Sequence, residues 1–140
     1  MKITIPGTPI AKKRPRFYRR GKHVGTYNDQ VTEEGLFLLS LREQWRREPI
    51  SGPMFVRLHF FFCRPKSHYG TGRNAERLKS AAPRYPSKKA QDVDNLAKFA
   101  MDCMNGVVYC DDRQVVTLSA AKRYGDDEKT VIIIDPEDTY

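Results

Sequence analysis

Residues 92–114 contain a helix with clear start and stop signals, and this segment restricts the fold more than any other. Asp94-Asn95 favours an N-cap, and Asn105-Gly106 favours a helix end with glycine in the left-handed region. A short link then leads to Val115-Val116, which open a strand. Apolar residues recur on one helical face, at Leu96, Phe99, Ala100, Cys103 and Met104. The chain must therefore pack an amphipathic helix beside a strand.

The same segment concentrates negative charge in a basic chain, at Asp92, Asp94, Asp102, Asp111 and Asp112. Carboxylates repel one another and repel a nucleic-acid backbone, but they are the hard oxygen ligands that Mg²⁺ and Mn²⁺ prefer. The short link after the helix allows Asp112 to return toward Asp92 and Asp94. The pattern predicts a metal-dependent active site in a DNA-binding protein.

Each of these acids also has an ordinary structural interpretation. Asp94 suits a helix cap, and Asp111-Asp112 suits a turn. Asp94, Lys98 and Asp102 lie at i, i+4 and i+8, so they could form a solvated ladder of ion pairs. The combination of all these features in one basic chain favours the active site over the structural interpretation.

The segment resembles the signature of the RusA-type Holliday-junction resolvases of bacteria and their phages. The resemblance extends to Ile5-Pro-Gly-Thr-Pro, Arg14-Pro-Arg-Phe and Lys122-Arg-Tyr, but includes little of residues 28–50 and 64–90. The motif D-x-D-N-L-x-K-x-x-x-D-x-x-N-G…D-D-x-Q stands here as Asp92, Asp94, Asn95, Leu96, Lys98, Asp102, Asn105, Gly106, Asp111, Asp112 and Gln114.

The resemblance implies a single RusA-like domain over residues 1–140, acting as a homodimeric α+β endonuclease in DNA recombination and repair. It implies that Mg²⁺, with Mn²⁺ as a substitute, supports hydrolysis of four-way DNA junctions. The family's catalytic acids fall on Asp92, Asp94 and Asp112, which would hold the metal, and its catalytic lysine falls on Lys98. Asp111 is a further candidate ligand. A symmetric dimer would present two such sites, which suits a junction cut on two opposed strands.

Composition agrees with a globular, DNA-binding protein. The chain has 140 residues, a net charge of +8, 39% hydrophobic residues and 30% charged residues. The charge favours a polyanionic partner, and the hydrophobic content favours one packed core. We expect no membrane span, no small-molecule cofactor and, because three cysteines occur without a C-x-x-C pair, a reduced cytoplasmic setting.

A basic arm, residues 12–22, precedes the first predicted helix, and it contains Phe17 and Tyr18 as stacking surfaces for unpaired bases. A second basic segment, residues 64–91, leads directly to Asp92 and is a long loop in which Ala75–Ala82 could form a short helix. Both segments could instead be solvated loops. The candidate DNA contacts are Lys12, Lys13, Arg14, Arg16, Arg19, Arg20, Lys88 and Lys89.

The remaining pattern predicts a mixed or antiparallel sheet with two main helices, in the order β-α-β-α-β-β. Strands are expected at residues 2–5, 54–62, 115–120 and 131–134, with the last two paired antiparallel through a turn at Gly125-Asp126-Asp127. The first helix is expected from Asn28 or Asp29 to about Glu48. Its inner stripe would be Val31, Leu38, Leu41 and Trp45, and Leu36, Phe37 and Leu39 widen it enough to suggest a subunit interface.

Two other functions remain compatible with the sequence. One is a DNA-binding module without catalysis, and the other is a metal-dependent nuclease for flaps, forks or RNA. Binding alone should survive EDTA, whereas metal-dependent cleavage should not.

Overall fold

The computed structural model describes residues 1–14, 16–27 and 30–136. It confirms the α+β class. Strands and helices follow one another as β1 Lys2–Pro6, β2 Arg16–Arg20, β3 His23–Tyr27, α1 Val31–Gln44, β4 Met54–Phe62, α2 Val93–Met104, β5 Val115–Tyr124 and β6 Lys129–Pro136. Within these described ranges, no helix is long and apolar enough to cross a membrane.

The main sheet has four strands in the order β1-β6-β4-β5. β4 runs antiparallel to β6 and parallel to β5. The predicted antiparallel pairing of β5 with β6 is therefore wrong, because β4 lies between them. β4 suits this central position since every second side chain is buried in the core, at Met54, Val56, Leu58, Phe60 and Phe62.

The link from β5 to β6 crosses the end of β4 at Gly125. The Gly125 backbone N–H donates to the Phe62 carbonyl oxygen at 2.8 Å. A Cβ atom at Gly125 would lie 3.0 Å from the Phe61 ring, so a larger side chain would press on β4 here. This close approach explains how a predicted hairpin turn serves instead as a crossover.

Both helices pack against the buried face of the sheet. Leu41 of α1 and Leu96 of α2 are fully buried beside the apolar residues of β4. Phe37 meets Phe99 edge to face, with ring centroids 5.6 Å apart. Burying one such ring stabilises the fold by roughly 1.5–3 kcal/mol. This contact fixes α2, and with it the acidic segment, against α1.

Helix α1 is shorter than the sequence predicts. It starts at Val31 after Gln30, and the predicted caps Asn28 and Asp29 lie outside the described residues. It ends at Gln44 because Trp45 adopts an extended backbone, and the chain then turns so that the Ile50 N–H reaches the Val108 carbonyl oxygen.

The inner stripe of α1 also differs from the prediction. Phe37 and Leu41 are buried, whereas Val31 is 66% exposed. Leu36 and Leu39 are exposed as well, so α1 presents apolar side chains to solvent on its outer side. The predicted excess of apolar residues on this helix is confirmed, although Val31 lies on the outer side.

The basic arm and the long loop contain structure that the sequence did not indicate. Residues Arg16–Arg20 and His23–Tyr27 form a two-stranded antiparallel hairpin. The loop before α2 contains short 3-10 turns, the last of which is Lys89–Gln91. No helix forms over Ala75–Ala82, where residues 75–77 make a turn and Leu78 forms a bridge with Tyr69.

Candidate active site

Helix α2 starts earlier than predicted, which changes the role of its first acids. The Leu96 N–H donates to the Asp92 carbonyl oxygen at 3.0 Å, so Asp92 rather than Asp94 occupies the N-cap position. Asp94 lies in the first turn, where the positive end of the helix dipole favours a carboxylate. Both side chains are exposed to solvent.

Asn95 contacts both carboxylates. Its backbone N–H donates to Asp94 Oδ1 at 2.9 Å, and its Nδ2 donates to Asp92 Oδ2 at 3.3 Å. Among the described residues, the second oxygen of each carboxylate has no hydrogen-bond donor. Asn95 therefore anchors two carboxylates that each keep one oxygen available for a ligand.

A solvent-open depression of about 510 Å³ lies beside Asp92 and Asn95. Lys12, Lys13 and Lys89 line it together with apolar residues. Lysines beside an exposed carboxylate can accommodate a phosphate whose charge is shared with a cation. The depression thus has the chemical character that a phosphodiester site requires.

Lys12 connects α1 with α2. Its Nζ lies 3.3 Å from Glu34 Oε1 and 3.3 Å from Asp102 Oδ2, and its backbone N–H donates to the Asn95 carbonyl oxygen. Partial burial disfavours the charged ammonium, but hydrogen bonds to Asp102 and Glu34 outweigh it and raise the pKa of Lys12. Lys12 was predicted as a DNA contact, and the structure gives it this internal contact as well.

Lys98 is exposed one turn after Asp94 on α2. The alternative ladder of Asp94, Lys98 and Asp102 does not form, because Asp102 pairs with Lys12. Within the part of the chain that the structure describes, no carboxylate pairs with the Lys98 ammonium. The ammonium is therefore accessible to an anion from solvent.

The two acids after α2 have different surroundings. Asp111 accepts the Arg113 N–H at 2.9 Å, and its other oxygen lies 3.2 Å from the Arg113 guanidinium. The hydrogen bond from the Arg113 N–H lowers the pKa of Asp111, desolvation opposes this effect, and the charge of the Arg113 guanidinium adds to the lowering. Asp111 thus serves as the cap of a short turn, whereas Asp112 is exposed.

Asp112 follows three residues after Tyr109, whose side chain contacts the middle of α2. The buried Tyr109 hydroxyl donates to the Met101 carbonyl oxygen at 2.7 Å. Burial raises the pKa of Tyr109, and the charges of Asp112 and Asp102 raise it further. In the described ranges, however, no three His, Cys, Asp or Glu side chains form a group that could hold a metal ion. The role of Asp112 as a third ligand stays a prediction.

The positioning contacts of three residues were not predicted from the sequence. Besides those of Asn95, Gln114 Nε2 donates to the Ile50 and Gly52 carbonyl oxygens at 2.7 and 2.9 Å. Lys122 Nζ donates to the Gln91 carbonyl oxygen at 2.7 Å, one residue before Asp92. All three belong to motifs of the family resemblance, but periodicity carries no signal for such contacts between distant residues.

Some of the predicted DNA contacts line the depression, and others lie on the hairpin. Lys13 and Lys89 line the depression beside Asp92, while Arg19 and Arg20 extend along the hairpin strand β2. The Arg16 side chain lies outside the described part of the structure. Contact with DNA stays a prediction for the set Lys12, Lys13, Arg14, Arg16, Arg19, Arg20, Lys88 and Lys89.

Comparison with known proteins identifies the family. The family model described as "Endodeoxyribonuclease RusA" matches residues 6–135. The chain is also similar to a Bacillus subtilis (strain 168) protein named "Uncharacterized protein YqaN", with 29% identity over 136 residues, 96% of this chain and 94% of the relative. The family match includes the hairpin and the whole acidic segment, together with every strand and helix from β2 to β5 and most of β6. The chain belongs to the RusA family of endodeoxyribonucleases, nucleases that hydrolyse DNA.

Proposed function

We propose that this protein is a Mg²⁺-dependent, structure-selective endodeoxyribonuclease that resolves four-way DNA junctions in recombination and repair. The observation that carries the proposal is the Asp92–Asn95–Asp94 arrangement at the start of α2. It presents two partly available carboxylates, of which Asp92 lines a depression together with lysines, in a chain of the RusA family. We also propose that residues 1–140 act as one domain.

The donor set at the start of α2 suits Mg²⁺. Mg²⁺ in proteins is usually held by one or two carboxylates, together with waters and substrate phosphate. Asp92 and Asp94 would supply these two, and Asp112 the third family acid. Asp111 is the weaker candidate because both of its oxygens already contact Arg113. When bound, the ion would supply a Lewis acid and a lowered pKa for the attacking water.

Lys98 would act on the same phosphate as a positive charge. The developing charge in phosphodiester hydrolysis lies on the phosphoryl and leaving oxygens, and a fixed cation there stabilises the transition state. Lys98 stands one turn beyond Asp94, with its ammonium exposed. Asn95 would orient the two carboxylates, and Lys12 would fix α2 against α1 beneath them.

We propose that the family's homodimer also applies to this chain. Support comes from the outer side of α1, where Val31, Leu36 and Leu39 are 60–66% exposed. Apolar side chains exposed together often belong to an interface. Sedimentation equilibrium should give a dimer for the wild type, and Leu36→Glu with Leu39→Glu should shift it toward monomer. A monomeric wild type at micromolar concentration would reject this assignment.

The function can be tested by cleavage of labelled substrates. Purified protein would be incubated with four-way, forked and linear duplex DNA and with a four-way RNA, each in Mg²⁺ and in EDTA. We expect paired cuts in the four-way DNA in Mg²⁺, weaker cleavage of linear duplex and no cleavage in EDTA. Mn²⁺ should replace Mg²⁺.

The same experiment separates the two alternatives. A DNA-binding module without catalysis would shift the junction in a gel equally in Mg²⁺ and EDTA, with no product in either. A nuclease for other structures would cut forks or RNA faster than the four-way DNA. Either pattern would replace the junction-resolving function.

A further inference from the structure

A second basic cleft is formed by the end of β5 and by parts of the long loop before α2. Its volume is about 450 Å³. Among the described residues, no acid lines it, and its cations are Arg64, Arg84, Lys122 and Arg123, with Tyr85 and Tyr124 between them. We name it the Arg84 cleft. None of these four cations belongs to the set of DNA contacts predicted from the sequence.

Two of the cations form the floor of the cleft and are fixed by neutral groups. Arg64 donates to the Pro83 carbonyl oxygen at 2.7 Å, and its guanidinium lies 4.3 Å from the Tyr124 ring centroid. Lys122 donates to the Gln91 carbonyl oxygen at 2.7 Å. These contacts orient both side chains without neutralising their charge.

The other two cations stand at the rim. Arg84 and Arg123 are exposed, and their guanidinium groups lie 5.5 Å and 5.9 Å from the ring centroids of Tyr85 and Phe61. Across the described residues, no carboxylate pairs with any of the four cations of the cleft. The cleft therefore carries four uncompensated positive charges, which attract a polyanion.

The Arg84 cleft is continuous with the candidate active site. An intermediate depression of about 280 Å³ shares Tyr124 with the cleft. The same depression shares Pro9 and Ala90 with the depression beside Asp92. Lys88 and Gln91 line the part between the two ends. The intermediate depression contains one cation, Lys88, and one acid, Glu128, whose oxygens accept the Thr8 hydroxyl and the Cys63 N–H. Because it shares lining residues with both ends, it offers a strand bound at Asp92 a route toward Arg84 and Arg123.

We infer that the Arg84 cleft binds the phosphodiester backbone of the DNA that is cut at Asp92 and Asp94. The inference rests on the proposed function for the location of the cut, but the binding itself requires no catalysis. A backbone fits better than a small anion because the cleft is open and continuous with two further depressions. Contacts to phosphate position a protein on DNA without reading its sequence.

The inference can be tested by the salt dependence of junction binding in EDTA. Arg84→Ala with Arg123→Ala removes two rim charges, and fluorescence anisotropy would measure the affinity for a labelled four-way junction at several salt concentrations. The affinity falls as salt rises, and each lost phosphate contact reduces the steepness of log affinity against log salt by about 0.9. The slope of the double variant should therefore be shallower than that of the wild type by about 1.8. The wild type and the variant should melt at the same temperature.

The matched control is Arg46→Ala with Arg47→Ala, which removes the same charge from exposed positions after α1. This control should keep the wild-type slope. The inference fails if the Arg84 and Arg123 variant also keeps the wild-type slope, as it would if the cleft bound a small anion. It also fails if the control loses as much.

The test still works if the double variant is unstable or if the protein does not cut DNA. Should the double variant melt abnormally, Arg84→Ala and Arg123→Ala alone carry the test, with an expected loss of about 0.9 each. Because binding is measured without metal, the slope decides this inference even if Mg²⁺-dependent cleavage is never observed. Failure of the proposed function and failure of the Arg84 cleft are thus distinguishable.

Discussion

The ammonium of Lys12 lies 3.3 Å from Asp102 Oδ2, and this ion pair separates the roles of two lysines. The sequence alone allows Asp102 to pair with Lys98, one turn before it on α2. In the structure Asp102 pairs instead with Lys12, which also contacts Glu34 of α1. Lys12 therefore joins the two helices, while the charge of Lys98 remains accessible beside Asp94.

Lys98→Ala should impair chemistry with little effect on folding. Loss of one cation that stabilises transition-state charge typically lowers a rate by about 10²–10³-fold. Junction affinity should fall much less, because other cations still hold the backbone. The measurement is single-turnover cleavage at saturating enzyme, with Lys2→Ala as a control at an exposed position on β1. A normal rate together with a normal melt would remove Lys98 from the mechanism.

Lys12→Met should lower stability. The two ion pairs are partly exposed, so we expect a loss of about 1 kcal/mol in the free energy of unfolding. Because the pKa of Lys12 is raised in the folded protein, its contribution is complete below the ordinary value of 10.5 and is lost as pH rises through the raised pKa. Urea unfolding at neutral and at strongly alkaline pH would measure the difference in the free energy of unfolding between the variant and the wild type. This difference should be smaller at the alkaline pH. Equal stability at neutral pH would contradict this.

Asp111→Asn and Asp112→Asn should differ in activity. Asn preserves the cap at residue 111, so this variant should still cut DNA. Asp112→Asn removes the proposed ligand and should abolish cleavage with a normal melt. Because the pKa of Asp111 is lowered in the folded protein, the ionised carboxylate stabilises the fold at pH values above 3.8, the ordinary pKa of the group. This contribution is lost as the pH falls through the lowered pKa. Equal loss of cleavage in both variants would show that Asp111 also participates.

Asn95→Ala should weaken the response to metal. Asn95 donates to both Asp92 and Asp94, and removing a partner of a metal ligand typically costs about 10–100-fold in metal affinity. The backbone N–H to Asp94 survives the substitution, so the effect should come from Asp92. A Mg²⁺ titration of the cleavage rate would measure the shift, with junction binding in EDTA as the control for folding. An unchanged midpoint would show that Asn95 does not orient Asp92.

Periodicity predicted the fold well because most buried positions follow a regular spacing. The alternation from Met54 to Phe62 gave β4 with the bounds that the structure has, and the apolar face from Leu96 to Met104 gave α2, although that helix starts earlier than its predicted cap. Strand order was harder to predict, since a short link such as Gly125–Glu128 permits either a hairpin or a crossover. The greater apolar content of β4 favours the crossover, because the most buried strand takes the centre of the sheet and β4 then lies between β5 and β6.

For the site as well, the sequence predicted the chemical type of the residues but not their contacts. Motif residues such as Asp92, Asp94 and Lys98 could be selected because carboxylates and a lysine near one helix start suit one chemistry. Which charges pair could not be predicted, since Lys12 and Asp102 are ninety residues apart in sequence and meet only through the packing of α1 on α2. The Arg84 cleft was missed for the same reason, because it joins the end of β5 to a distant loop.

The most direct test of the central claim is single-turnover cleavage of a labelled four-way junction by wild type and Asp94→Asn in Mg²⁺. Asn keeps the size of the side chain but removes the charge that would hold the metal. The account predicts paired cuts by the wild type, no cleavage by Asp94→Asn, and junction binding by the variant that is at least as tight. Near-normal cleavage by a correctly folded Asp94→Asn would contradict the assignment of the active site.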